Sequence, residues 1–109
     1  MSYWVSLQND RGEIPEVDSF EEGGTYAMGG STEADLSVTY NYSKLFSVKN
    51  ELHGKYAYET IPILEAAVKR FGTEKSADYW EPTEGNVGAM CHVLIGWARQ
   101  YPSLRWNVN

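Results

Sequence analysis

Residues 34–43 read Ala34-Asp35-Leu36-Ser37-Val38-Thr39-Tyr40-Asn41-Tyr42-Ser43, and the chain changes character inside them. Up to Tyr40 the pattern alternates, with Leu36, Val38 and Tyr40 facing one way and Asp35, Ser37 and Thr39 the other. Successive side chains on a strand point to opposite faces, so this stretch predicts a strand with one apolar face. Beyond it, Tyr42, Leu45, Phe46, Lys49 and Leu52 fall along one helical face. A helix capped by Asn41 is expected to run to about His53, with Gly54 just past its end.

Upstream the chain reads as strand and loop. Tyr3-Trp4-Val5-Ser6-Leu7 predicts a first strand, Asn9-Asp10-Arg11-Gly12 a turn, and Glu13 to Val17 its hairpin partner. Pro15 lacks a backbone donor and confines that partner to a sheet edge. From Ser19 to Thr32, two glycine pairs bracket a very short strand, Thr25-Tyr26-Ala27-Met28, between loops.

Downstream the pattern is helical. Ile61, Leu64, Val68 and Phe71 predict a second helix, with Thr60 as N-cap, Pro62 in the first turn and Gly72 at the end. A third begins near Thr83 or Asn86 and runs until Pro102, with Val87, Met90, Cys91, Leu94, Trp97, Ala98 and Tyr101 as a wide apolar face. Gly88, Ala89, Val93 and Gly96 add small residues on its other side, where a second element is expected to pack closely. Leu104, Trp106 and Val108 alternate as a last strand. Strands early and helices late predict a single α+β domain over residues 1–109, a small mainly antiparallel sheet with about three helices, the C-terminal ones packed on one face.

The totals narrow the function. A chain of 109 residues with fifteen aromatic side chains can enclose one core. Cys91 is the single cysteine, so no internal disulfide is expected. No basic stretch followed by a long apolar run opens the chain, which favours the cytoplasm and no membrane association. The net charge of −6 disfavours direct nucleic-acid binding, which rests on lysine and arginine. That charge is uneven: residues 1–43 hold eight acids and one base, and residues 44–109 seven acids and eight bases.

Chemistry-bearing constellations are missing. Gly24 to Ser31 resembles a phosphate loop only superficially, because Gly30 stands where the lysine belongs. Cys91 and His92 are neighbours on a helix and diverge by about 100°, and His53 is the other histidine, so no metal site and no cofactor is expected. No serine or cysteine sits in a recognisable nucleophile setting, and Glu21-Glu22 falls in a loop, so no catalytic residue is assigned. Two segments remain as candidate binding residues. Tyr40, Asn41 and Tyr42 are either an N-cap flanked by core tyrosines or part of a binding surface. Asp78, Tyr79, Trp80, Thr83 and Asn86 join two helices, and the two large rings either plug the core edge or anchor a partner.

Glu22 to Gly30 (E-G-G-T-Y-A-M-G-G), Leu36 to Ser43 (L-S-V-T-Y-N-Y-S), Asp78 to Asn86 (D-Y-W-E-P-T-E-G-N) and Gly96 to Pro102 (G-W-A-R-Q-Y-P) together resemble a family of short acidic proteins of phages, prophages and bacterial genomes. The resemblance brings no chemistry and no functional residues. It implies a phage setting, hence the host cytoplasm, where small acidic proteins sometimes act against host defence. The leading expectation is a noncatalytic binding or regulatory protein with a protein partner. One alternative is an acidic inhibitor that imitates nucleic acid through Glu13, Glu16, Asp18, Glu21 and Glu22. Another is a small-ligand domain with a pocket lined by Tyr40, Tyr42 and Trp80.

Overall fold

The computed structural model describes residues 2–16, 33–78 and 80–109. The elements are β1 (Ser2–Gln8), β2 (Asp35–Thr39), a 3-10 helix (Tyr40–Lys44), α1 (Val48–Leu52), α2 (Ala57–Phe71), α3 (Glu84–Gln100) and β3 (Arg105–Val108). The strands form an antiparallel sheet in the order β2-β1-β3, and α2 packs along α3. This is the α+β arrangement that the patterning predicts.

Register shows how alternation becomes a core. Tyr3 pairs with Val38 and Val5 with Leu36, while on the other edge Val5 pairs with Val108 and Leu7 with Trp106. The residues between, among them Trp4, Gln8, Ser37 and Asn107, share the opposite face, so one sheet face is apolar and the other, apart from Trp4, polar. The apolar face joins Leu52, Leu64, Met90, Leu94 and Trp97 in one cluster. Of the 17 residues of α3, eleven are buried, which makes it the spine of that core.

Both edges of β1 are therefore occupied, and the expected hairpin does not form. The turn is present: Asn9 Oδ1 accepts the Arg11 and Glu13 N–H groups, and Gly12 takes φ +77°, a conformation that favours glycine. The chain then leaves β1, and Glu16 bridges to Glu33 instead. Val17 and the short strand expected at Thr25 to Met28 lie outside the described residues.

The helix expected from Asn41 to His53 is two pieces. Thr39, not Asn41, caps the 3-10 helix by accepting the Asn41 N–H, and Ser47 caps α1 by accepting that of Asn50. The break has a packing reason. Phe46 and Val48 are both buried, and two positions apart on a continuous helix they would diverge by about 200°. Tyr40 also departs from the alternation: it follows β2 and is exposed, while its ring centroid stands 4.4 Å from that of Tyr3.

α2 starts earlier than expected, because its N-cap is Tyr56 rather than Thr60. The carbonyls of Leu104 and Pro102 accept the Ala57 and Tyr58 N–H groups, and Glu59 Oε1 accepts that of Tyr56. Donors left open by the first turn are thus satisfied from a distant segment. Thr60 is buried instead and accepts the Trp106 indole N–H at 2.8 Å. Pro62 consequently lies inside the helix, on an exposed position where the unbonded Tyr58 carbonyl can meet water.

The outer edge of β3 is sealed. Trp106 N–H donates to the Lys55 carbonyl and its own carbonyl accepts the Gly54 N–H. Val108 N–H donates to His53 Nδ1 at 3.0 Å, and Lys49 Nζ donates to the Val108 carbonyl at 2.9 Å. Open strand edges invite pairing with other chains, and here one is closed by the turn after α1.

Candidate functional site

Thr83 caps α3 as expected, its Oγ1 accepting the Asn86 N–H at 3.1 Å. Asn86 is fully buried. Its Oδ1 accepts the Ser76 N–H, and its Nδ2 donates to Ser76 Oγ and to the carbonyls of Asp78 and Glu81, all within 3.1 Å. Asp78 Oδ1 in turn accepts the Trp80 N–H at 3.0 Å. One amide thus holds the 76–81 loop on the first turn of α3. Asn86 is therefore an organiser of the loop, and Thr83, half-buried, caps the helix that carries it.

The two candidate segments meet. Asn41 Nδ2 donates to the Trp80 carbonyl at 2.9 Å, so the loop is held on both sides of Trp80 by Asn86 and at Trp80 itself by the 3-10 helix. Tyr42 falls out of the surface: it is fully buried, the core reading of that residue. Tyr40 and Trp80 stay outside, 42% and 53% exposed. Leu45, at the end of the 3-10 helix, is 36% exposed and was not singled out by sequence, where it reads as part of a buried stripe. Tyr79 lies outside the described residues.

Among the five proposed phosphate-mimicking acids, Asp18, Glu21 and Glu22 lie outside the described residues. Glu13 and Glu16 are exposed. Glu13 accepts from Asn9 Nδ2 at 2.9 Å and so also braces the first turn, and the Glu16 carbonyl accepts the Tyr101 hydroxyl.

Two of the concavities among the described residues lie elsewhere. An open groove of about 560 Å³ runs between α2 and α3, past Pro62, Val68, Lys69, His92 and Ile95 to Arg99, which is paired with Glu65 at 3.1 Å. A smaller polar one beside β3 involves His53 and Arg105. Neither is lined by Tyr40, Tyr42 or Trp80. Among the described residues no three of His, Cys, Asp and Glu gather as metal ligands, and no helix is long and apolar enough to cross a membrane.

Cys91 is buried, and burial pushes its thiol far above the ordinary value. A consequence follows for stability. The unfolded thiol ionises near the ordinary 9.0 while the folded one stays protonated, so its contribution is complete below that pH and declines above it. The decline approaches about 1.4 kcal/mol per pH unit. Denaturant melts at about pH 8 and about pH 10 are expected to show this loss in the wild type and a smaller one in Cys91→Ala. Equal losses would mean that the thiol ionises in place.

No family model, curated protein or solved structure matches the chain.

Proposed function

We propose that the protein is a noncatalytic binding or regulatory protein, of the phage type its sequence resembles, acting through contact with another protein at the surface formed by Tyr40, Leu45 and Trp80. The Asn41–Trp80 hydrogen bond carries this reading. It joins to one another the two segments that hold three of the five large hydrophobic residues exposed among those described, the others being Trp4 and Tyr58. Tryptophan and tyrosine dominate the energetics of protein interfaces, and a surface already ordered loses less entropy on binding. Asn86 supplies that order from below.

A photoreactive phenylalanine analogue at Leu45 is expected to cross-link a partner in bacterial lysate, whereas the same group at Tyr58 is not. Trp80→Ala should abolish the adduct and weaken the purified complex by about 2 kcal/mol or more, roughly thirtyfold, while leaving the melting temperature unchanged. Cross-linking from position 58 instead, or a complex indifferent to Trp80→Ala, would overturn the proposal.

A further inference from the structure

The charges around Trp80 narrow the partner. Residues 74–84 carry four acids, Glu74, Asp78, Glu81 and Glu84, against one base, Lys75. Asp78, Glu81 and Glu84 are exposed, and among the described residues none of these three carboxylates takes part in an ion pair. The Asp78 carboxylate is fixed next to the ring-bearing residue by the bond from the Trp80 N–H. Lys44, on the 3-10 helix, is the nearest base in sequence to Tyr40.

We infer that the partner element seated here is a basic protein segment, with an arginine side chain stacked on the Trp80 indole among the carboxylates of Asp78, Glu81 and Glu84; this rests on the surface being the binding face proposed above. An acidic or neutral segment would desolvate three carboxylates without replacing their water, and a phosphate backbone would be repelled. A cation compensates them. Tryptophan is also the aromatic ring that attracts a cation most strongly, and the planar guanidinium can stack on an indole while donating to carboxylates, which an ammonium group does less well. An exposed indole and unpaired acids, each ordinary alone, are thus complementary to one side chain.

The probe is a capped peptide alternating arginine with serine, titrated against the full chain while backbone amide resonances are followed. Shifts are expected at residues 40–45 and 76–86, with a citrulline-for-arginine twin binding at least tenfold more weakly and a lysine twin in between. The triple variant Asp78→Asn, Glu81→Gln, Glu84→Gln keeps the acceptor for the Trp80 N–H and should melt normally, yet lose the arginine preference. Raising salt, which shortens the screening length from about 10 Å at 0.1 M to about 3 Å at 1 M, should do the same. Equal binding of the arginine and citrulline peptides, no binding of either, or shifts confined to residues 9–16 would overturn the inference. If cross-linking from position 45 nevertheless depends on Trp80, only the basic character of the partner fails. If that cross-link is also missing, the surface itself has been misassigned.

Discussion

Gly88→Ala is expected to cost about 3 kcal/mol or more, at the upper end of overpacking effects, and to leave much of the chain unfolded at moderate denaturant. A methyl carbon at Gly88 would lie 1.6 Å from the Gly72 carbonyl oxygen and 2.8 Å from its carbon. Both are backbone atoms and cannot rotate away. Gly85, one turn earlier, meets the Glu74 carbonyl oxygen at 1.7 Å in the same way. The N-terminal half of α3 therefore sits directly on the chain leaving α2, close enough for Cα–H groups to contact carbonyls. Restoring an ordinary contact of about 3.3 Å would move the two apart by nearly 2 Å, beside Val87 and Cys91, where the core is fully buried. Gly96 is the control within the same helix. Gly96 is exposed and no described residue lies within 4 Å of a methyl there, so Gly96→Ala should gain up to about 1 kcal/mol from helix propensity alone. Denaturant melts of the two variants should thus move in opposite directions. A Gly88→Ala protein as stable as the wild type would refute the close packing of α3 on the 71–74 segment.

Asn86→Ala should have the second largest effect, a loss of about 2 to 3 kcal/mol. Removing the amide leaves the Ser76 N–H without its acceptor and takes one donor each from the carbonyls of Asp78 and Glu81, the first keeping the Ser76 hydroxyl and Glu81 N–H and the second the Thr83 N–H. Polar groups that lose their partner in a confined site pay the desolvation penalty in full, more than the bond contributed when made. Asn86→Asp tests the cause, since it keeps the size and the acceptor but loses both donors and places a carboxylate where the residue is fully buried. It should be at least as damaging. Because the same amide holds the loop that carries Trp80, hydrogen exchange at the Ser76 and Trp80 amides should accelerate in Asn86→Ala beyond what the loss of global stability explains. Unchanged protection at these amides would mean that the loop is held by the Asn41–Trp80 bond instead.

The two glycines and the asparagine show where sequence reading reaches its limit. Gly88 was expected to mark a close approach, and it does; Gly96 carried the same expectation and is exposed, with no described residue packed on it. Both are one residue type in one helix, and only the position of the 71–74 segment separates them. Asn86 read equally well as helix cap or contact residue, and its four bonds reach residues five to ten positions away, along a loop whose path no local pattern specifies.

The candidate site was half legible. Tyr40, Asn41 and Trp80 stood out as aromatics and an amide among turn residues, but the bond between Asn41 and Trp80 spans 39 positions. Tyr42 could have been core or surface. The 3-10 turn decides this, since it rotates Tyr42 inward and leaves Tyr40 and Leu45 outside.

What the sequence determined by itself are the features set by neighbours along the chain. Alternation at 36 and 38, at 5 and 7, and at 106 and 108 defines one apolar face per strand, and the apolar spacing of Val87, Cys91, Leu94 and Ala98 with Thr83 before it defines α3 and its cap. Only the tertiary structure decided the rest. β1 has two edges, and β2 and β3 fill both, which displaces the adjacent segment from the hairpin its turn suggests. α2 begins at Ala57 because the carbonyls of Pro102 and Leu104 receive its first N–H groups, which frees Thr60 to accept from Trp106. A backbone donor is satisfied equally by a local cap or a distant carbonyl, so local pattern cannot say which one the folded chain supplies.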